Sequence, residues 1–242
     1  MPEAVDPSSL PFIDWDRIES FVGFGKRDAP VVFIGLEEGL KRADALFEDL
    51  TVRSTYSEPV MDLKKAHEGI AGTEEYFNPE RAPRQPTWRV MADLMERRRG
   101  NAAPTGPERK RYRTLDLGRT HGQTLLTELL PYPHPKTKHW LYARFGHYLT
   151  REDYEKALLP CRIQMLRNVL SEAHRNLIVC YGKKGWPGFE ALFGDVDWRP
   201  DGIHRVGTWR GARVVLTNHF SGHDFNTDEQ LADLARVALV QH

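Results

Sequence analysis

The sequence predicts an α/β fold, a three-layer α/β/α sandwich around a central, mainly parallel four-stranded sheet. Three observations lead there. Short apolar segments bounded by Gly, Pro or Asn recur along the chain, and helical patterns with apolar spacings of three and four lie between them. Two of the segments are continuous apolar runs, the pattern of strands buried on both faces of a parallel sheet. Strand–helix alternation of this kind places helices on both sides of the sheet.

The first strand is VVFIG (31–35), followed by the helical pattern LKRADALFEDL (40–50). Residues 51–85 are poorly periodic and read as loops and short helices. PTWRVMADLMERR (86–98) opens on Pro and Thr and keeps helical spacing. The second strand is TLLTELL (124–130). A long helix follows over 150–173, with Thr150 and Asp153 as its capping signal and Pro160 as an expected kink. LIVCYG (177–182) and ARVVLTNH (212–219) are the third and fourth strands. The fourth is expected to form a hairpin with the segment before it, turning at Arg210-Gly211. TDEQLADLARVALV (227–240) is a final capped helix. Residues 97–113, rich in Pro, Gly and cations, read as a mobile basic loop within one domain spanning 1–242.

The 242 residues suffice for one α/β domain with a substantial core. With 34 basic and 34 acidic side chains, the chain is not coated in positive charge, although a local basic groove remains compatible. No apolar run approaches a membrane span, and MPEAVDPSSL lacks the regions of a signal peptide, so a cytoplasmic protein is expected. The two cysteines, Cys161 and Cys180, are far apart and are expected to sit inert in apolar surroundings. No His or Cys spacing suggests a metal site, and neither a Walker-type loop nor GxGxxG is present. No metal or cofactor is expected.

In an open parallel sheet, ligands bind outside the carboxyl ends of the strands. Here those ends are polar. The first runs into Gly35-Leu36-Glu37-Glu38-Gly39, two carboxylates bracketed by glycines. The second carries Glu128 and leads into LPYPHPKTKHW. The third exits through YGKKGW, and the fourth through Asn218-His219-Phe220-Ser221-Gly222-His223. Parallel strands would bring these groups into one crevice, a composition suited to gripping a base or sugar.

The order and spacing of these motifs resemble the uracil-DNA glycosylase superfamily, whose members remove bases from DNA. Gly35 to Gly39 is similar to its first motif, LLTE with LLPYPHP to its second strand end and Pro-rich loop, IVCYGKK to its third strand end, and NHFSGH to its His-Pro-Ser motif. The chain departs from the family at Glu38 and Phe220, which stand where proline is usual, and at Glu128, which replaces the base-reading Asn. Two cysteines cannot supply the four of the iron–sulfur branch.

The resemblance implies a monofunctional DNA glycosylase, a hydrolase of N-glycosidic bonds. Glu37 corresponds to the water-activating carboxylate, with Glu38 as the alternative, and His219 to the donor at the base carbonyl. Glu128, Gly39 and Gly35 would border the base. An ionised Glu128 only accepts hydrogen bonds and would suit an exocyclic amino group, as in cytosine. Gly39 leaves room beside C5. Together they point to a C5-modified cytosine such as the glucosylated hydroxymethylcytosine of phage DNA, and so to antiviral defence. Duplex DNA would be the partner of a monomer: Lys183, Lys184, Ser221 and His134 on its backbone, and His223 or Phe225 filling the gap left by the flipped base. Trp186, Tyr132, Arg97 to Arg99 and the cations of 109–113 are further contact candidates. Two alternatives stay open: a non-catalytic DNA- or modified-nucleotide-binding protein of the same fold, and a uracil-DNA glycosylase of base-excision repair. An unrelated enzyme acting on a small nucleotide is a third.

Overall fold

The computed structural model describes residues 12–40, 43–68, 70–135 and 140–240. In chain order its elements are α1 (Trp15–Ser20), β1 (Gly23–Gly25), β2 (Val31–Gly35), β3 (Gly39–Leu40), α2 (Leu46–Arg53), β4 (Val60–Met61), α3 (Leu63–His67), α4 (Pro86–Arg98) and α5 (Gly106–Leu115). Then come β5 (Thr124–Glu128), β6 (His134–Pro135), α6 (Arg151–Ser171), β7 (Leu177–Tyr181), α7 (Trp186–Phe193), β8 (Arg199–Asp201), β9 (His204–Trp209), β10 (Ala212–Thr217) and α8 (Asp228–Ala238).

The main sheet has eight strands rather than four, in the order β4-β1-β5-β2-β7-β10-β9-β8. Its centre, β5-β2-β7-β10, is the expected parallel set. β1 and β4 extend one side, with β1 antiparallel to β5, and β9 and β8 extend the other as antiparallel strands. These additions carry little apolar pattern of their own. β1 is Gly-Phe-Gly, and Gly25 adopts φ +117° where a Cβ would lie 2.1 Å from the Thr124 carbonyl oxygen. The anticipated hairpin forms, with Arg210 at φ 50° and Gly211 at φ 82° between β9 and β10.

Alternation along β2 and β7 divides the core into two layers. Val31, Phe33, Val179 and Tyr181 face α4 and α8, meeting Val90, Leu94, Leu231 and Leu234. Val32, Ile34, Ile178 and Cys180 face α6 and α7, meeting Leu166, Leu170, Phe189 and Leu192. A third cluster, containing Leu46, Leu50, Tyr132, Tyr142 and Tyr154, packs α1 and α2 against α6.

Two expectations need correction. The helix expected from residue 40 begins at Leu46, after β3 and a 3₁₀ turn at Ala43–Ala45; residues 41 and 42 lie outside the described residues. Pro160 lies inside α6, which continues past it from Arg151 to Ser171; it and Lys156 are both exposed, so water can serve the carbonyl that loses its partner. The supposed mobile loop over 97–113 is largely helical. Thr105 and Glu108 form a capping box that opens α5, with Pro107 in its first turn. Its cations are structural. Asp93 accepts from Arg97 Nε and Arg109 Nε at 2.7 Å each, Arg109 continues to Asp228 at 2.5 Å, and Arg113 donates to the Ala82 carbonyl. Arg98 and Arg99 likewise engage Gln123 and Asp116. Arg97 and Arg109 thus knit α4, α5 and α8 together, while Arg111 stays exposed.

Candidate functional site

The register of the parallel strands aligns their carboxyl ends: Gly35 lies opposite Glu128, Ile34 opposite Cys180, and Thr217 opposite Tyr181. Backbone pairing then continues past the sheet. Leu129 and Leu130 donate to the carbonyls of Gly35 and Leu36, and His134 donates to Glu38 at 2.8 Å. β3 and β6 pair with Gly39 opposite His134. The glutamate loop is therefore held against the Pro-rich loop by main-chain hydrogen bonds, which fixes where its two side chains start.

Each carboxylate has its own environment. Both oxygens of Glu37 accept from Arg151, at 3.1 and 2.9 Å, in a bidentate pair that leaves one lone pair on each oxygen. Glu38 Oε2 accepts from Arg53 at 2.8 Å, and Arg53 Nε reaches Asp49 at 2.5 Å. The Arg53 side chain is only 6 % exposed. Burial works against its charge, but Asp49 and Glu38 outweigh that and hold its pKa well above the ordinary value. Among the described residues Glu38 Oε1 has no protein partner.

Glu128 differs from both. Its Oε1 accepts from the Tyr181 hydroxyl at 3.0 Å, while Oε2 is sealed from solvent with no protein partner. The carboxylate lies directly on Gly35, where an added Cβ would come within 1.9 Å of Oε2. Gly35 thus makes room for Glu128, which gives the motif glycine a definite steric role. Burial, reinforced by Glu38, pushes the Glu128 pKa up to about 8 against the opposing Tyr181 hydrogen bond. The side chain expected to be an ionised acceptor thus sits where its protonated form is favoured.

His219 is exposed and stands edge-on to the Tyr181 ring, 5.7 Å between centroids. The Ser221 backbone N–H donates to its Nδ1 at 3.2 Å, and the Ser221 hydroxyl lies 2.8 Å from the same atom. A backbone N–H can only donate, so Nδ1 is the acceptor and Nε2 carries the hydrogen. That tautomer suits a donor at a carbonyl oxygen. Ser221, the residue expected at a DNA backbone, is exposed and also orients this imidazole.

Lys183 and Lys184 are exposed on a 3₁₀ turn after β7. Lys183 and Arg205 both lie over the Trp186 ring, at 5.7 and 4.9 Å, and the Trp186 indole N–H donates to the Thr217 carbonyl at 3.1 Å. Phe225 is fully buried, edge-on to Phe220, with its carbonyl accepting from Arg89; it cannot fill a gap in a duplex. His223 stays exposed beside it. The wedge expectation therefore falls on His223 alone: were the chain to act on duplex DNA, His223→Ala would slow action on paired DNA more than on single strands, and equal losses on both would remove that role.

The Pro-rich loop also turns inward. Tyr132 is buried and its hydroxyl donates to Glu19, while His134 stacks on Trp140 with its Nε2 sealed from solvent. Tyr132 is thus taken up in the interior while His134 remains half-buried, and residues 136–139 of this loop lie outside the described residues. Cys161 is exposed, unlike the buried Cys180. Among the described residues nothing lies within 4 Å of where a Gly39 Cβ would stand, so the space beside it is open to them.

Sequence reasoning missed Arg53, Arg151 and Tyr181. Arg53 was signalled by its spacing of four from Asp49, and Tyr181 by its place at a strand end. Arg151 meets Glu37 across 114 positions, which no local pattern records. No group of three His, Cys, Asp or Glu among the described residues could hold a metal ion, and none of their helices is long and apolar enough to cross a membrane. The chain matches no protein-family model and no curated protein.

Proposed function

We propose that the protein is a DNA glycosylase that hydrolyses the N-glycosidic bond of a flipped, C5-modified cytosine, for which the glucosylated hydroxymethylcytosine of phage DNA is the leading substrate. The observation that carries this reading is the single row formed at the strand ends by Glu37, Glu38, Glu128, Tyr181 and His219. Such a row offers what the reaction needs. Breaking the C1′–N1 bond sends its electron pair to the base and leaves positive charge on the sugar. Glu37 and Glu38 supply compensating negative charge. As water adds to C1′, its proton passes to Oε1 of Glu38, which has no partner among the described residues, while Nε2–H of His219 donates to the base carbonyl. The open space at Gly39 accommodates a C5 substituent.

Glu38→Ala and His219→Ala are each expected to reduce base release roughly a hundredfold while DNA binding persists. The assay is mass spectrometry of free base released from a panel of DNAs carrying uracil, cytosine and modified cytosines. Wild-type turnover in both variants would sink the assignment. Release of uracil alone would restore the base-excision-repair reading. The Arg151 clamp on both oxygens of Glu37 favours a second reading, a protein that binds a modified nucleotide without cleaving it. Alkaline-labile abasic sites separate the two: they form only if the bond is cut.

A further inference from the structure

We propose that Glu128 works as a neutral carboxylic acid that donates its O–H to an unprotonated ring nitrogen of the departing base while its other oxygen accepts from the adjacent exocyclic amino group. This role rests on the glycosylase reading and assigns Glu128 a share in the chemistry as well as in base selection.

Among the described residues no cation pairs with the carboxyl. Tyr181 donates a single hydrogen bond to Oε1, and Oε2 lies sealed against Gly35 with no partner. The charges of the preceding strand's loop, Glu37 and Glu38, have the same sign as an ionised Glu128. Arg53 on α2 is committed to Glu38 and Asp49. Arg162 on α6 donates to the main-chain carbonyls of Glu128 at 2.7 Å and Phe21 at 2.8 Å, and burial lowers its own pKa to about 10. A third carboxylate in this place would be a buried, unpaired anion beside two others. The pKa of about 8 agrees with that arrangement.

A neutral carboxyl is a donor and an acceptor on one fork. The torsion about its terminal bond is broad and two-fold, so the O–H can turn from Gly35 toward a bound base. Cytosine presents an acceptor, N3, beside a donor, the 4-amino group, and matches that fork. Proton transfer to N3 lets C1′–N1 break with its electron pair moving into the ring, so the base leaves as a neutral N3–H tautomer and Glu128 as a carboxylate. Solvent then returns the proton. Uracil carries hydrogen on N3 and cannot take the proton there.

The test pairs a spectroscopic readout with a kinetic one. Infrared difference spectra between wild type and Glu128→Gln are expected to show a protonated-carboxyl C=O band at pH 7 that titrates away near pH 8. Single-turnover release of glucosylated hydroxymethylcytosine from duplex DNA is expected to fall roughly tenfold per pH unit above that point. Glu128→Gln keeps a hydrogen-bonding fork but has no acidic proton; its release should be roughly a hundredfold slower and lack the alkaline limb, with duplex binding retained. Absence of the band overturns the neutral acid even where base is released. A band with release that stays flat through pH 8 overturns the donor role. A band with no base released from any DNA overturns the glycosylase reading, and the leaving-group role with it.

Discussion

Asp93→Ala is expected to destabilise the fold by about 3–5 kcal/mol, the cost of removing one partner from a buried ion pair. Asp93 is 1 % exposed and accepts from two arginines, Arg97 on its own helix and Arg109 on α5. Arg109 retains Asp228, but that carboxylate is largely exposed, and Arg97 retains only the Ala102 carbonyl. Both guanidiniums would remain largely buried with half their compensation gone. Urea denaturation of the wild type and variant provides the check. A loss below about 1 kcal/mol, the size of an ordinary surface substitution, would mean that the cluster is relieved by water and does not fasten α4 to α5.

Glu128→Gln should act on stability in the opposite direction, and only at the right pH. The folded pKa, about 8, lies above the ordinary value of 4.5. Below pH 4.5 the carboxyl is neutral in both the folded and the unfolded chain and carries no penalty. As pH rises, the unfolded chain releases the proton while the folded protein keeps it, so stability from this group drains away until pH passes about 8. A gap of that size corresponds to roughly 3–5 kcal/mol. Glutamine does not titrate, so the advantage of the variant over wild type should be small at pH 4 and largest near pH 9. Thermal unfolding across that range measures it. A difference independent of pH would show that Glu128 ionises freely in the folded protein.

The centre of the fold was legible because it follows from local pattern. VVFIG and LIVCY bury every residue, and the helix at 86–98 has the bounds its apolar spacing gives. The two-residue strand at Val60–Met61 and the glycine-flanked β1 have no periodicity to read; pairing with neighbours distant in sequence makes them strands. The basic stretch misled for a related reason. Composition reports charge, whereas Arg109 and Arg113 take their meaning from Asp93 and Ala82, brought up by tertiary packing. At the site, motif spacing located the glutamates and His219. It could not say that Glu128 would be sealed against Gly35, because protonation is decided by burial and by charges on other elements.

The rims of the sheet bear on how this molecule meets others. One rim strand, β4, is two residues long. The other, β8, is Arg-Pro-Asp: Pro200 offers no N–H, Arg199 pairs with Asp197, and Asp201 is held by Arg236. Short length, proline and paired charge are the devices that stop one sheet from templating another. A disordered peptide would find no run of open main-chain groups here on which to zip as an extra strand. The same devices disfavour extension of the main sheet by a second copy of the chain at either rim.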